Sequence, residues 1–232
     1  MGTKTFLSYA NDLLLPFGET QISSSDWFSV KGPQAVAKSA ILRSIDFIMS
    51  KERQWPFNRQ SGSQTLVVGQ SEYDWPSAFR EVDMNSFYLE KSDSLNINTT
   101  KLDEITKERW YDLHREYDLD NTTDGLQPPL YVFRTSGKYG VTPVPDKAYT
   151  LKFTYFSIPT RMSAYDDTTS IPDEFQHVVI DNAIPYTNFF YENDEQIAEA
   201  KVQAKDSLAS MRSTLINDDF LMRDTRKRKV NG

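Results

Sequence analysis

Ser170-Ile171-Pro172-Asp173-Glu174-Phe175 is where this chain turns from strand chemistry to helix chemistry. Proline stands at the entrance, where a missing N–H costs nothing, and two acids follow where the helix dipole favours negative charge. Phe175, Val178, Val179 and Asn182, then Tyr186 and Phe189, recur at helical spacing and predict a helix over residues 173–191. Pro185 lies inside that pattern, so a kink is expected there, because proline removes one backbone bond and crowds the preceding turn.

Downstream, Ile197, Ala200, Ala204, Leu208, Met211 and Leu215 are spaced 3, 4, 4, 3 and 4 apart, with Asn193 and Gln196 placed as a capping box. This stripe is expected to end by Ile216. Residues 217–232 then read as an extended tail, with an apolar anchor at Phe220, Leu221 and Met222 and a basic run of Arg223, Arg226, Lys227, Arg228 and Lys229. Upstream, Gly32-Pro33 opens a third helical pattern over 34–51, carried by Ala37, Ile41, Ile45 and Ile48.

The middle of the chain, residues 64–159, is β-rich. Stretches 65–68, 79–89, 130–134 and 149–156 concentrate β-branched and aromatic residues, and prolines at 76, 128, 129, 143, 145 and 159 punctuate their ends. The last stretch alternates, with Leu151, Phe153 and Tyr155 on one face and Lys152, Thr154 and Phe156 on the other. One polar helix, about 102–117, interrupts the strands. The expected fold is therefore α+β. N- and C-terminal segments form a helical bundle, an antiparallel β-sandwich or barrel-like domain is inserted between them, and an extended tail follows. The corresponding boundaries are 1–60, 61–160, 161–216 and 217–232.

Composition narrows the function. The 232 residues carry 33 acidic and 26 basic side chains, a net charge of -7, which disfavours a dedicated nucleic-acid grip. With no cysteine there is no disulfide framework, thiol nucleophile or Cys-based metal site, and His114 and His177 are the only imidazoles. The first 17 residues lack the continuous apolar run of about 7–15 residues that a signal peptide needs, so a soluble chain made in the cytoplasm, without a membrane partner, is expected.

Catalytic constellations are scarce. No Gly-x-Ser-x-Gly elbow or phosphate loop is present, and both histidines read as packed or solvated residues. Asp118-Leu119-Asp120-Asn121-Thr122-Thr123-Asp124-Gly125 has a faint calcium-loop look, but fails the EF-hand pattern and reads better as a turn. Asp166 and Asp167 with Glu72 or Asp74 are the carboxylates from which a cell-wall hydrolase would be built. Trp75 and neighbouring rings are the platform a carbohydrate-binding β-domain would use, although aromatic residues more often cover a core. No catalytic, cofactor-binding or metal residue is assigned, and no cofactor is expected.

The order of features resembles a known family. Gln54-Trp55-Pro56-Phe57 leads into Thr65-Leu66-Val67-Val68-Gly69-Gln70-Ser71-Glu72-Tyr73-Asp74-Trp75-Pro76, with Phe79-Arg80-Glu81-Val82 behind it. Then come Pro128-Pro129-Leu130-Tyr131-Val132-Phe133, Val141-Thr142-Pro143-Val144-Pro145, Ile158-Pro159 and the return helix at Ile171-Pro172-Asp173-Glu174-Phe175. Over residues 30–216 this is similar to the head-to-tail adaptor (connector) proteins of tailed bacteriophages, also called tail tubular protein A or head completion proteins. The resemblance implies a non-enzymatic virion protein at the head–tail interface. It implies a dodecameric ring below the portal protein, meeting the tail nozzle protein and extending the channel for double-stranded DNA. By position and chemistry, Phe220, Leu221, Met222, Arg223, Arg226, Lys227, Arg228 and Lys229 are the expected portal-binding residues.

Overall fold

The computed structural model describes residues 4–116, 126–135, 137–191 and 194–227, with side chains described for 4–112, 126–135, 137–191 and 196–216. The chain divides into two compact units, a helical one made of Met1–Asn58 with Pro159–Gly232, and a β unit, Arg59–Ile158. The fold is α+β, as the alternation of helical and strand periods implies.

In the helical unit, α1 (Phe6–Leu14) was not resolved by periodicity, yet all its apolar side chains but Leu7 are buried. Its free N-terminal amides are satisfied from far along the chain. Phe6 N–H donates to the Asp167 carbonyl (2.8 Å) and Leu7 N–H to the Tyr165 carbonyl (2.9 Å), while Ser8 N–H donates to the Thr5 hydroxyl. Asn11 then clamps the returning loop by both ends of its amide, donating to the Ile22 carbonyl (3.1 Å) and accepting from the Ile22 N–H (2.7 Å).

Helix α2 (Pro33–Lys51) starts on proline after Gly32, whose φ of 57° only glycine adopts freely. It buries Ala37, Ala40, Ile41, Ser44 and Ile48. A 3-10 turn, Asp173–Phe175, leads into α4 (Gln176–Phe190), α3 being a helix of the β unit described below. Helix α4 runs continuously through Pro185. Phe175, Val178, Val179 and Asn182 are buried as the stripe requires, whereas Phe189 is 77% exposed. Helix α5 (Asp194–Lys227) buries Ala200, Ala204, Leu208 and Met211. Its capping partner Asn193 lies outside the described residues.

One expectation fails here. Helix α5 does not stop at Ile216 but continues through 217–227 to Lys227, so this stretch is no extended tail. Residues 217–227 contain neither proline nor glycine, include Leu221, Met222, Arg223, Arg226 and Lys227 among good helix formers, and end on cations that suit the C-terminal dipole. Loss of an apolar stripe removes a helix's packing face; it does not break the helix. Residues 228–232 lie outside the described set.

Among its described residues the β unit contains two four-stranded sheets around one hydrophobic cluster, neither closed into a barrel. The first, in spatial order β1 (Arg59–Thr65), β8 (Thr150–Ser157), β3 (Phe79–Leu89) and β4 (Thr100–Lys101), is antiparallel. The second orders β2 (Glu72–Asp74), β7 (Lys138–Thr142), β6 (Tyr131–Arg134) and β5 (Asp103–Glu104). It is mixed, because β5 runs parallel to β6. Leu151 and Phe153 of β8 meet Tyr139 of β7 and Phe87 of β3 inside the cluster.

Two local expectations shift. The strand expected at 65–68 lies earlier, in the polar Arg59–Thr65, and Val67 and Val68 beyond it are exposed. An edge strand needs only backbone partners, so its sequence carries little alternation. The polar helix α3 starts at Lys107, not 102, because Leu102 is buried in the sheet core and Thr106 caps the helix by accepting from the Arg109 N–H.

Candidate interaction surface of the helical unit

Helices α4 and α5 pack against one another, and on α5 the small residues Ala200 and Ala204 are buried. Asn182 reinforces the pair from within, its buried amide donating to the Val178 carbonyl (2.9 Å) and reaching the Ala204 carbonyl (3.4 Å). From α2, the hydroxyl of Ser44 donates to the Val179 carbonyl of α4 at 2.7 Å.

Alongside this packed seam the three helices leave an open groove of about 770 Å³. Its floor is largely apolar, formed by Phe47 of α2, Pro185, Tyr186 and Phe189 of α4, and Ile197, Ala204, Leu208 and Ala209 of α5, with Asn182 among them. Its rim is cationic: Lys51, Lys201, Lys205 and Arg212. Exposed apolar surface of this kind, bordered by charge, marks an interaction site.

The rim cations differ in their engagement. Lys51 lies over the Phe47 ring (4.4 Å), and Arg212 donates to the Glu52 carboxylate (3.4 Å). Lys201 and Lys205 are exposed and have no ion-pair partner among the described residues. Sequence periodicity placed Tyr186 and Phe189 in a buried stripe and passed over the lysines. The available signal was the spacing of Lys201, Lys205 and Arg212, which share the flank of the α5 stripe.

Several residues singled out by catalytic chemistry have local partners, and Asp167 holds a loop together. One Asp167 oxygen accepts from the Ser163 N–H (2.6 Å), the Ala164 N–H (2.8 Å) and the Ser163 hydroxyl (3.3 Å). Those backbone donors, Ser163 foremost, hold its carboxyl below the usual range. Asp74 faces Lys138 at 3.6 Å. The exposed His177 sits with Nδ1 3.1 Å from the Glu174 carbonyl. The Trp75 ring is stacked on Phe79 (4.3 Å, 10°) and lies against Tyr139 (4.8 Å), so it is engaged in the packing of the β unit. Among the described residues no three His, Asp or Glu side chains gather as a metal site, and no helix is long and apolar enough to cross a membrane.

The calcium-like stretch 118–125 lies outside the described residues. So do Arg228 and Lys229 of the expected portal-binding set, while Phe220, Leu221, Met222, Arg223, Arg226 and Lys227 stand on the helical backbone of α5, their side chains outside the described set.

Residues 32–228 match the SU10 adaptor protein family, a span that takes in α2, the whole β unit, α4 and α5. The chain belongs to that family. As an SU10 adaptor it is a structural protein of a bacteriophage, which bears out the adaptor resemblance read from the ordered motifs. No curated protein matches the chain.

Proposed function

We propose that this SU10 adaptor joins head to tail in the virion: a ring of copies, twelve by the resemblance, seated below the portal protein, receiving the tail nozzle protein and continuing the channel through which double-stranded DNA leaves. The observation that carries this is the family match across both units. In this reading the far end of α5, with Phe220, Leu221, Met222, Arg223, Arg226, Lys227, Arg228 and Lys229, docks on the portal. Apolar side chains set the dissociation rate and the basic run speeds encounter. The chain is made in the host cytoplasm and ends at the head–tail interface. A net charge of -7 suits a conduit, since phosphate is repelled and the cargo slides.

The experiment is to mix the purified chain with its phage's portal rings and image the product. A ring of adaptor density beneath each portal is expected. Absence of any portal complex would overturn the reading, and so would nanomolar binding of duplex DNA at physiological salt.

A further inference from the structure

The groove shows an apolar floor and a cationic rim on one side of α5, while another side of the same helix is acidic. Glu199 and Asp206 are exposed there and flank Val202, which is 61% exposed. Gln203 donates to Asp181 at 3.1 Å, which carries the acidic side onto α4. At 3.6 residues per turn, Lys201, Lys205 and Arg212 centre roughly 130° round the helix from Glu199 and Asp206. One helix thus carries two unlike faces of opposite charge, each with exposed apolar surface. A head-to-tail contact between identical subunits requires two such faces on one molecule.

We propose that the groove receives the Glu199, Val202 and Asp206 face of α5 from a second copy of this chain. This deepens the ring reading and rests on it. Val202 enters the apolar floor beside Tyr186 and Phe189, and the two acids meet Lys201 and Lys205 of the receiving copy. The contact is heterologous, so it propagates from copy to copy until the ring closes. Charge complementarity sets which face enters and in what register. The chain's own basic run at 223–229 is excluded as occupant, because it has the sign of the rim. Duplex DNA fits less well: the floor is mostly aromatic and aliphatic surface, against which a phosphate would lose hydration with little return.

The test uses the full chain, alone at high concentration and together with portal rings. K201E/K205E and E199K/D206K are made separately; all four side chains are exposed, and circular dichroism and melting confirm that each variant folds. Each alone weakens self-association at least about tenfold, because like charges then face one another. An equimolar mixture restores assembly, since every groove now meets a face of opposite sign. Because the chain has no cysteine, F189C and V202C chains provide a second readout. Mixed and oxidised, they form a disulfide-linked dimer between the two different chains, at a yield neither gives alone.

Rings that form without regard to the charge reversals, and without that crosslink, would overturn this interface and leave the ring reading standing. Failure of the unaltered chain to assemble under any condition, portal included, would overturn both. If K201E/K205E assembles normally and loses only retention of duplex DNA, the groove is a nucleic-acid surface and the proposal is wrong.

Discussion

Phe133 lies over Gly140, the residue directly opposite it on the neighbouring strand, so closely that a Cβ on Gly140 would fall within the phenyl ring. The same arrangement recurs in the other sheet, where Gly62 faces Phe153 and its ring. In both sheets an aromatic side chain covers the bare backbone of a cross-strand glycine. Glycine here supplies space, and each ring is held from elsewhere: Trp110 stacks on Phe133 (4.5 Å), and Phe87 stacks on Phe153 (4.7 Å).

Gly140→Ala should therefore destabilise the β unit by about 1–3 kcal/mol, the usual cost of overfilling a packed core. Phe133→Ala alone leaves a cavity. The double variant G140A/F133A should be less destabilised than the sum of the singles, because the added methyl occupies space the ring has vacated. Urea denaturation of the four proteins measures this, and strict additivity would contradict the geometry.

Ser44→Ala removes the hydroxyl that joins α2 to α4 through the Val179 carbonyl, in a fully buried position. A loss of about 1 kcal/mol is expected, read as a fall in melting temperature of about 2–4 °C for a chain this size. An unchanged melt would mean that this bond adds nothing net between the helices.

The Asp167 carboxyl is held below its ordinary range by the backbone donors of Ser163 and Ala164. A depressed folded pKa contributes stability above the unfolded value, about 3.9, that is lost as pH falls through the folded one. Asp167→Ala should thus melt below the unaltered protein at pH 7, and the gap should shrink in melts taken well below pH 4. A gap that stays constant with pH would assign the effect to the loop backbone and not to the carboxylate.

Deleting residues 217–232 should abolish portal attachment while leaving the melting temperature nearly unchanged, since Leu215 and Ile216 still pack on the helical core. Far-UV ellipticity should fall as helical residues 217–227 are lost. Undiminished docking by the truncated chain would place the portal contact elsewhere on the helical unit.

Much of this fold is legible wherever one face of an element is buried. Ala37, Ile41 and Ile48, Val178 and Val179, Ala204, Leu208 and Met211 announce their helices because each must meet a partner every turn. Leu151 and Phe153 do the same for β8. The illegible parts have identifiable causes. Strand β1 is an edge of polar residues around a glycine, so its pairing partner carries the pattern. Helix α1 spans only nine residues, too short a window for its period to stand out from the neighbouring apolar run at Leu13, Leu14 and Leu15. The groove escaped because an apolar floor and an apolar core have one sequence signature; only exposure separates Phe189 from Val179. Family membership was legible from the order of motifs, none of which is diagnostic singly.

The helical unit is interrupted by the β unit, and this fixes an order of events during translation. Phe6, Tyr9, Leu13, Trp27 and Ile41 leave the ribosome first, while Val179, Leu208 and Met211, with which they share a core, follow only after residues 59–158. At about 5–20 residues per second that wait is on the order of ten seconds, during which only the contiguous β unit has its complete core to close. Helices α4 and α5, which complete the helical core, also form most of the groove and carry the basic end, so these are synthesised last. A copy therefore acquires its means of joining others at the same moment as it finishes its own interior, and a half-made chain has nothing with which to enter the particle.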